Sequence, residues 1–268
     1  MTEDELKTLA DLDFYRSQAL FMASTPVGEV SDSRDLLLVN CGAPFGQFNV
    51  AILKPPLQEL VGAVERGERY FTERELPFRF MVRSDHRERC AERLLDAGYV
   101  EVAPTPAMLL RVIPAIPDAP AGLEVRRARS DEELAWFRGV AERGFGMPTG
   151  MGTVAVCDAV VAHPDVEVLI GLVDGEPVAT SLLQMSNRVA GIYFVACEEA
   201  HRRRGYGEAL TWAAVAVGAA RGASHASLQA SELGRPVYAR MGFATLAHYH
   251  WFASPGSDTS EGFGFMAG

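Results

Sequence analysis

Lysine is nearly missing from this sequence: Lys7 and Lys54 are the only two among 25 basic residues in 268. Cysteine is scarce too. Cys41, Cys90, Cys157 and Cys197 form no CxxC unit and no zinc-type spacing, so neither a disulfide framework nor a clustered zinc site organises the chain. Long apolar runs are absent. The strongest apolar helical segment free of charge, Ala209 to Ala220, is too short for a bilayer, which needs about 20 residues. The opening Met-Thr-Glu-Asp-Glu-Leu is acidic where a secretory signal would be basic, and a cytoplasmic protein is expected. Positive charge is outweighed, with 35 acidic against 25 basic residues and a formal charge of -10. That balance speaks against nucleic acid and anionic membranes as partners, because attraction to phosphate dominates such binding. It suits a cationic partner or a small amine, and a solubility role accounts for it equally well. No HExxH, GxSxG or GxxxxGK[ST] occurs, which removes support for zinc peptidases, α/β-hydrolases and P-loop proteins. His248 and His250 would share a strand face but lack a third ligand, and no metal is expected.

What remains is an ordinary globular composition, 48% hydrophobic and 22% charged, with material for a sizeable core. Pro114-Ala-Ile-Pro-Asp-Ala-Pro-Ala121 holds three prolines in eight residues and reads as a linker. It separates a domain at 1–113 from one at 122–268. In the second half, alternation predicts a strand at 123–128, and 166–173, 177–185, 189–197, 226–230 and 243–252 also read as strands. Ser130-Asp-Glu-Glu133 fits a capping box opening a helix to about Arg143. Gly144 to Pro148 breaks that helix, and another is expected over 152–162. Asp174-Gly175 is a hairpin signal. Gly205–Arg221 reads as a long helix and Arg235–Met241 as a short one. In the first half, strands are expected at 36–41, 47–53, 78–83 and 108–112, with helices at 57–71 and 86–97. The order is α/β of the α+β kind, with an antiparallel meander rather than a doubly wound sheet.

The chemistry concentrates at Val195-Ala-Cys-Glu-Glu-Ala-His-Arg-Arg-Arg-Gly-Tyr-Gly-Glu208. A strand ends at Cys197, and Arg202-x-x-Gly205-x-Gly207 opens the longest helix. Free N–H groups and the helix dipole at such a start attract anions. Glycine permits close backbone approach, and three arginines add charge-assisted donors. A Rossmann fingerprint would need glycine where Leu210 stands. Taken alone the pattern also fits a solvated basic turn. Downstream, Ser227-Leu-Gln-Ala-Ser231 ends a strand and Gly234-Arg-Pro-Val-Tyr-Ala-Arg-Met-Gly-Phe243 follows.

The two motifs together resemble the GNAT superfamily of acyl-coenzyme A-dependent N-acyltransferases, over about residues 122–252. The first is similar to its pyrophosphate loop, the second to its LYxxxGF signature, here Val237-Tyr238-Ala-Arg-Met-Gly242-Phe243. The resemblance implies two such domains, each a mixed, mostly antiparallel sheet flanked by helices. It implies acetyl-CoA as cosubstrate, held by Arg202, Arg203, Arg204, Gly205, Tyr206, Gly207 and Glu208 at the pyrophosphate. Val195, Ala196 and Cys197, on a splayed strand end, would pair with the pantetheine and polarise the thioester. Ser231 stands where the family often has a pantetheine-touching Asn. Tyr238 would be the general acid for the departing thiolate. The acceptor, a small-molecule amine, would lie near Phe145 and Met147, with Tyr193 facing it.

The family's glutamate base, four residues before Val195, is replaced by Gly191. Glu167 and Asp158 are nearby carboxylates, and neither is assigned the role. Phe48-Asn-Val-Ala51 matches Tyr193-Phe-Val-Ala196, and Ala97-Gly-Tyr-Val100 matches Met241-Gly-Phe-Ala244, at offsets of 145 and 144. An old duplication accounts for both. It leaves a degenerate first half without RxxGxG, with Leu94 in place of Tyr238. The competing expectation is an acyl-CoA-binding sensor or assembly partner without turnover. Oligomeric state, including a homodimer, stays open.

Overall fold

A computed structural model describes residues 1–147 and 149–257. In chain order the first half supplies α1 (Glu3–Ala23), β1 (Glu29–Asp32), β2 (Leu36–Asn40), β3 (Val50–Leu53), α2 (Leu60–Thr72), β4 (Arg79–Arg83), α3 (Arg87–Asp96) and β5 (Val100–Leu110). The second half supplies β6 (Glu124–Arg127), α4 (Asp131–Phe145), α5 (Met151–Ala155), α6 (Asp158–Val161), β7 (Val166–Val173), β8 (Glu176–Ser186) and β9 (Val189–Cys197). It closes with α7 (Tyr206–Ala220), β10 (His225–Gln229), α8 (Arg235–Arg240) and β11 (Ala244–Ala253). Two compact units result. One comprises Met1–Ser17 with Ala107–Leu246, the other Gln18–Pro106 with 247–257. The expected division at 1–113 and 122–268 therefore does not follow the compact units. Each half of the sequence supplies the end of its last strand to the other unit, and the start of α1 belongs with the second half. The 114–121 segment carries no helix or strand.

The first unit is built on the strand order β5-β10-β9-β8-β7-β6. Strands β6 to β9 form an antiparallel meander, β9 and β10 are parallel, and β5 returns antiparallel to β10. A parallel neighbour needs a crossover, and α7 provides it. Its Leu210, Ala214, Val215 and Gly218 are buried on the sheet. A Cβ on Gly218 would stand 2.5 Å from that of Ala190, so the absent side chain lets the helix lie directly on β9. The capping box forms as expected: Ser130 Oγ accepts from the Glu133 N–H at 3.2 Å, and Glu133 accepts from the Ser130 N–H at 3.1 Å. Asp174 and Gly175 both take positive φ, 52° and 84°, the tight turn that a two-residue hairpin demands. The helix expected over 152–162 is two short ones, α5 and α6. The break at 144–148 is an αL cap at Gly146; Pro148 lies outside the described residues.

The second unit has the order β1-β2-β3-β4-β11. Around β3 the pairing repeats that around β9: antiparallel to β2, parallel to β4 across α2, then β11 antiparallel to β4. Its core holds Phe71, Phe78, Phe80, Leu94 and Tyr99. α3 and α8 end alike. The Tyr99 N–H bonds the Leu94 carbonyl past Gly98, and the Phe243 N–H bonds the Tyr238 carbonyl past Gly242, both at 3.0 Å. Both glycines are left-handed, at φ 83° and 94°, the closure typical of a helix C-terminus. That shared cap places Leu94 on the position of Tyr238, as the offset of 144 in the sequence requires.

Candidate active site

β9 and β10 pair over three residues only, Val189 to Gly191 against His225 to Ser227. From Ile192 onward β9 runs on to Cys197 without a ladder partner on that side, so the two strands part. On the β8 side the register slips at the same place. Leu182 faces Tyr193 but Thr180 faces Ala196, and Phe194 takes a left-handed φ of 51°. This is a β-bulge, which leaves an extra residue outside the ladder and re-aims its neighbours. Tyr193 and Phe194 consequently face the same side. The Tyr193 hydroxyl donates to Asp13 Oδ2 of α1 at 2.9 Å, and Phe194 packs edge-on against Phe137 of α4, ring centroids 6.3 Å apart. Val195 turns to the opposite face and joins the core under α7.

Past Cys197 the chain makes one 3-10 turn, Glu199–His201, and reaches α7 through Arg203 and Gly205, both left-handed at φ 61° and 81°. No side chain caps α7. Its first N–H groups and its dipole, worth about half a positive charge, face the loop. Arg203 and Arg204 are exposed there, with Arg204 reaching back to the Ala200 carbonyl at 3.3 Å. Arg202 is exposed as well, and its guanidinium donates to the carbonyls of Gly144 and Cys197 at 3.0 and 3.4 Å. It straps the end of α4 to the end of β9. Pro120 flanks Gly205, 3.5 Å from where a Cβ would stand. Tyr206 is buried beside His201, while Gly207 and Glu208 complete the first turn. The loop and the uncapped helix start fit a pyrophosphate: arginines, glycine, and no carboxylate cap competing for the N–H groups.

Tyr238 of α8 is buried, and its hydroxyl hydrogen-bonds Thr211 near Cys197. Burial pushes the phenol well above its ordinary range, so it remains a proton donor at neutral pH and cannot serve as a base. Cys197 shares this corner. Burial raises its thiol to about 11 against the pull of the Gly207 N–H and Arg202, so it is no thiolate nucleophile. Ser231 Oγ accepts from the Gly234 N–H at 3.0 Å and holds the turn into α8. Phe145 and Met147 are half-buried at the end of α4. Their neighbour Gly144 lies against Ala196, with only 2.7 Å between a Cβ there and that of Ala196, so this loop adjoins the splayed strand end.

Sequence reasoning missed one residue altogether. α1 was not anticipated, and Asp13 on it is fully buried against β9 and β10. Besides Tyr193, Ser227 Oγ donates to its Oδ2. A Cβ on Gly191 would stand 2.6 and 2.7 Å from the two Asp13 oxygens. The carboxylate therefore fills the space where residue 191 has no side chain. Burial raises Asp13 from 3.8 to about 7, opposed by hydrogen bonds from Ser227 and Tyr193 and by the charge of Arg16. Tyr193, pushed well above its ordinary value chiefly by burial and by Asp13, belongs with Ser227 and Asp13 to a buried polar cluster. Glu167 is held among Arg127, Arg129 and Arg221 at 3.2–3.9 Å, and Asp158 is an exposed partner of Arg138. Neither joins the site. Among the described residues no three His, Cys, Asp or Glu side chains come together to hold a metal, and no helix is long and apolar enough to cross a membrane.

Residues 132–243 match the family described as "Acetyltransferase (GNAT) family". No curated protein matches the chain. Among solved structures it is similar to a GCN5-related N-acetyltransferase from Kribbella flavida, at 20% identity and TM-score 0.70, over 92% of this chain and 96% of that one. A second from Sphaerobacter thermophilus shares 19% identity at TM-score 0.63, over 86% of this chain and 84% of that one. A tandem GNAT protein from the clavulanic acid biosynthesis pathway aligns over 96% of this chain and 98% of its own, at 13% identity and TM-score 0.60. At these identities the likeness is one of fold.

Proposed function

We infer that this protein, whose residues 132–243 match the acetyltransferase (GNAT) family, transfers an acetyl group from acetyl-CoA to a primary amine of a small molecule. The observation that carries this is the convergence of three features at the end of β9. They are the parting of β9 from β10 with a bulge beside it, the uncapped start of α7 flanked by Arg203 and Arg204, and the protonated phenol of Tyr238. In this reading the α7 N–H groups and arginines take the pyrophosphate. The open edge at Val195, Ala196 and Cys197 pairs with the pantetheine amides. The bulge's freed N–H polarises the thioester carbonyl, as an oxyanion donor does. The amine attacks the carbonyl carbon, the C–N bond forms and the C–S bond breaks. Tyr238 gives its proton to the departing thiolate and recovers one from the new amide nitrogen. Phe145 and Met147 shape an acceptor site with apolar character. The second unit lacks the loop and has Leu94 for the tyrosine, so it serves neither chemistry nor cofactor.

The test is thiol release from acetyl-CoA across a library of primary amines, with Tyr238→Phe as control. Turnover that falls in the variant supports the reading. Acetyl-CoA binding with no turnover of any amine replaces it with the sensor reading.

A further inference from the structure

We propose that Asp13, on the N-terminal helix, is the carboxylate that receives the acceptor amine's proton; this rests on the acetyltransferase reading above. A primary alkylamine is protonated at neutral pH, with a pKa near 10.4, and cannot attack a thioester until it loses a proton. The reaction therefore needs an acceptor group beside the parting strands, on the face opposite α7. The registers identify what stands there. Gly191, the last β9 residue paired with β10, lies between Gln184 on one side and Ser227 on the other. Tyr193 and Gln229 follow two residues on, along the same faces. All four polar side chains are buried, and α1 sets Asp13 over the gap at Gly191.

This cluster holds more hydrogen-bonding capacity than it uses. Asp13 Oδ2 takes both hydroxyl donors, while Oδ1 has none, and both amide atoms of Gln184 and the Oε1 of Gln229 are likewise without partners. Buried polar atoms left unpaired are costly, and an unpartnered carboxylate oxygen is matched to an ammonium group. The charged and titratable groups facing Asp13 are few. Tyr193 donates from β9, and Arg16 acts from α1 itself while bound to Asp165 at 2.7 Å. Among the described residues no lysine or histidine acts on the carboxylate. Its perturbed titration, near neutrality, fits a group that must take a proton and return it.

The step balances. The ammonium gives one proton to Asp13 Oδ1, and the neutral amine attacks the acetyl carbon. The C–N bond forms, the C–S bond breaks, and the nitrogen's second proton ends on the thiol by way of Tyr238. Asp13 then releases its proton to solvent. Net products are the amide, coenzyme A and one proton.

The experiment compares the full-length protein with Asp13→Asn. Calorimetry with acetyl-CoA comes first. Wild type that fails to bind overturns the acetyltransferase reading itself, whereas equal affinity in both proteins keeps that reading and isolates the role of Asp13. Thiol release is then followed with n-butylamine, an ammonium at neutral pH, and with hydroxylamine, which is already neutral. The expected result is a loss in kcat/KM of roughly 10²-fold or more for butylamine, with hydroxylamine spared to within about tenfold and the acid limb of the pH profile removed. No loss, or an equal loss with both nucleophiles, overturns the proposal. Where the variant does not fold or neither amine is turned over, carboxyl NMR of wild type labelled at aspartate decides. One aspartate titrating near neutrality and moved by butylammonium in the acetyl-CoA complex supports the assignment. An aspartate set that butylammonium leaves unmoved overturns it.

Discussion

Asp13→Asn carries a second, purely thermodynamic consequence. Burial lifts the Asp13 carboxyl from 3.8 to about 7, so between those values the folded protein holds this proton and the unfolded chain does not. The contribution of the neutral acid to stability is accordingly present at low pH and lost as pH rises through about 7. Three pKa units at 1.36 kcal/mol each set the size at about 4 kcal/mol, an upper bound because a buried site relaxes around a charge. Asparagine keeps an oxygen for the Tyr193 and Ser227 hydroxyls and carries no charge. The variant should therefore gain on wild type steadily from about pH 4 to pH 7, then hold its advantage. For a chain of this size the gain amounts to a rise in Tm on the order of 10 °C. Thermal unfolding of both proteins across that range reads it directly. A variant less stable than wild type by a constant amount at every pH would refute the reasoning, because it would mean that the Asp13 carboxyl titrates alike in the folded and unfolded chain. A variant more stable and catalytically poorer would place Asp13 among residues where function is held against stability.

Three further outcomes follow from particular contacts. Gly191→Ala drives a Cβ to within 2.7 Å of both Asp13 oxygens and of the Tyr193 ring, and should cost about 1–3 kcal/mol by overpacking in urea unfolding. Ser130→Ala removes one arm of the capping box on α4 and should cost about 1 kcal/mol by the same assay, with acetyl-CoA affinity unchanged. Tyr238→Phe should lower kcat by roughly 10²-fold while acetyl-CoA affinity stays within about twofold. Because burial holds the Tyr238 phenol well above its usual range, wild type should show no alkaline loss of kcat from this group below about pH 10.

The second half was legible because its signals are local. Apolar runs marked β7 and β9 to their observed ends, and Ser130, Asp174 and Gly175 did what such residues do at caps and turns. The paired glycines Gly98 and Gly242 reported the duplication through a shared helix ending. α1 was not legible. Its buried stripe, Leu6, Ala10, Asp13, Phe14 and Ser17, keeps the spacing of three and four, but Asp13 and Ser17 stand where apolar residues would mark a core face. One of the two polar residues that erased the pattern, Asp13, carries the proposed chemistry. The exchange of the β5 and β11 ends between units was also beyond reach, since a linker rich in proline marks a boundary along the chain and not in space. The contact of Arg202 with the Gly144 carbonyl was also beyond reach, since it joins segments far apart in the chain.

The most direct measurement is calorimetric titration of the protein with acetyl-CoA beside an Arg204→Glu, Gly205→Asp double variant. The variant places two negative charges at the uncapped start of α7, and Asp at 205 must also adopt a φ of 81°. Saturable binding in wild type that vanishes in a folded variant is the predicted result, and it locates the cosubstrate at the loop. Equal binding by both proteins would contradict the site, and no binding by folded wild type would contradict the acetyltransferase account as a whole.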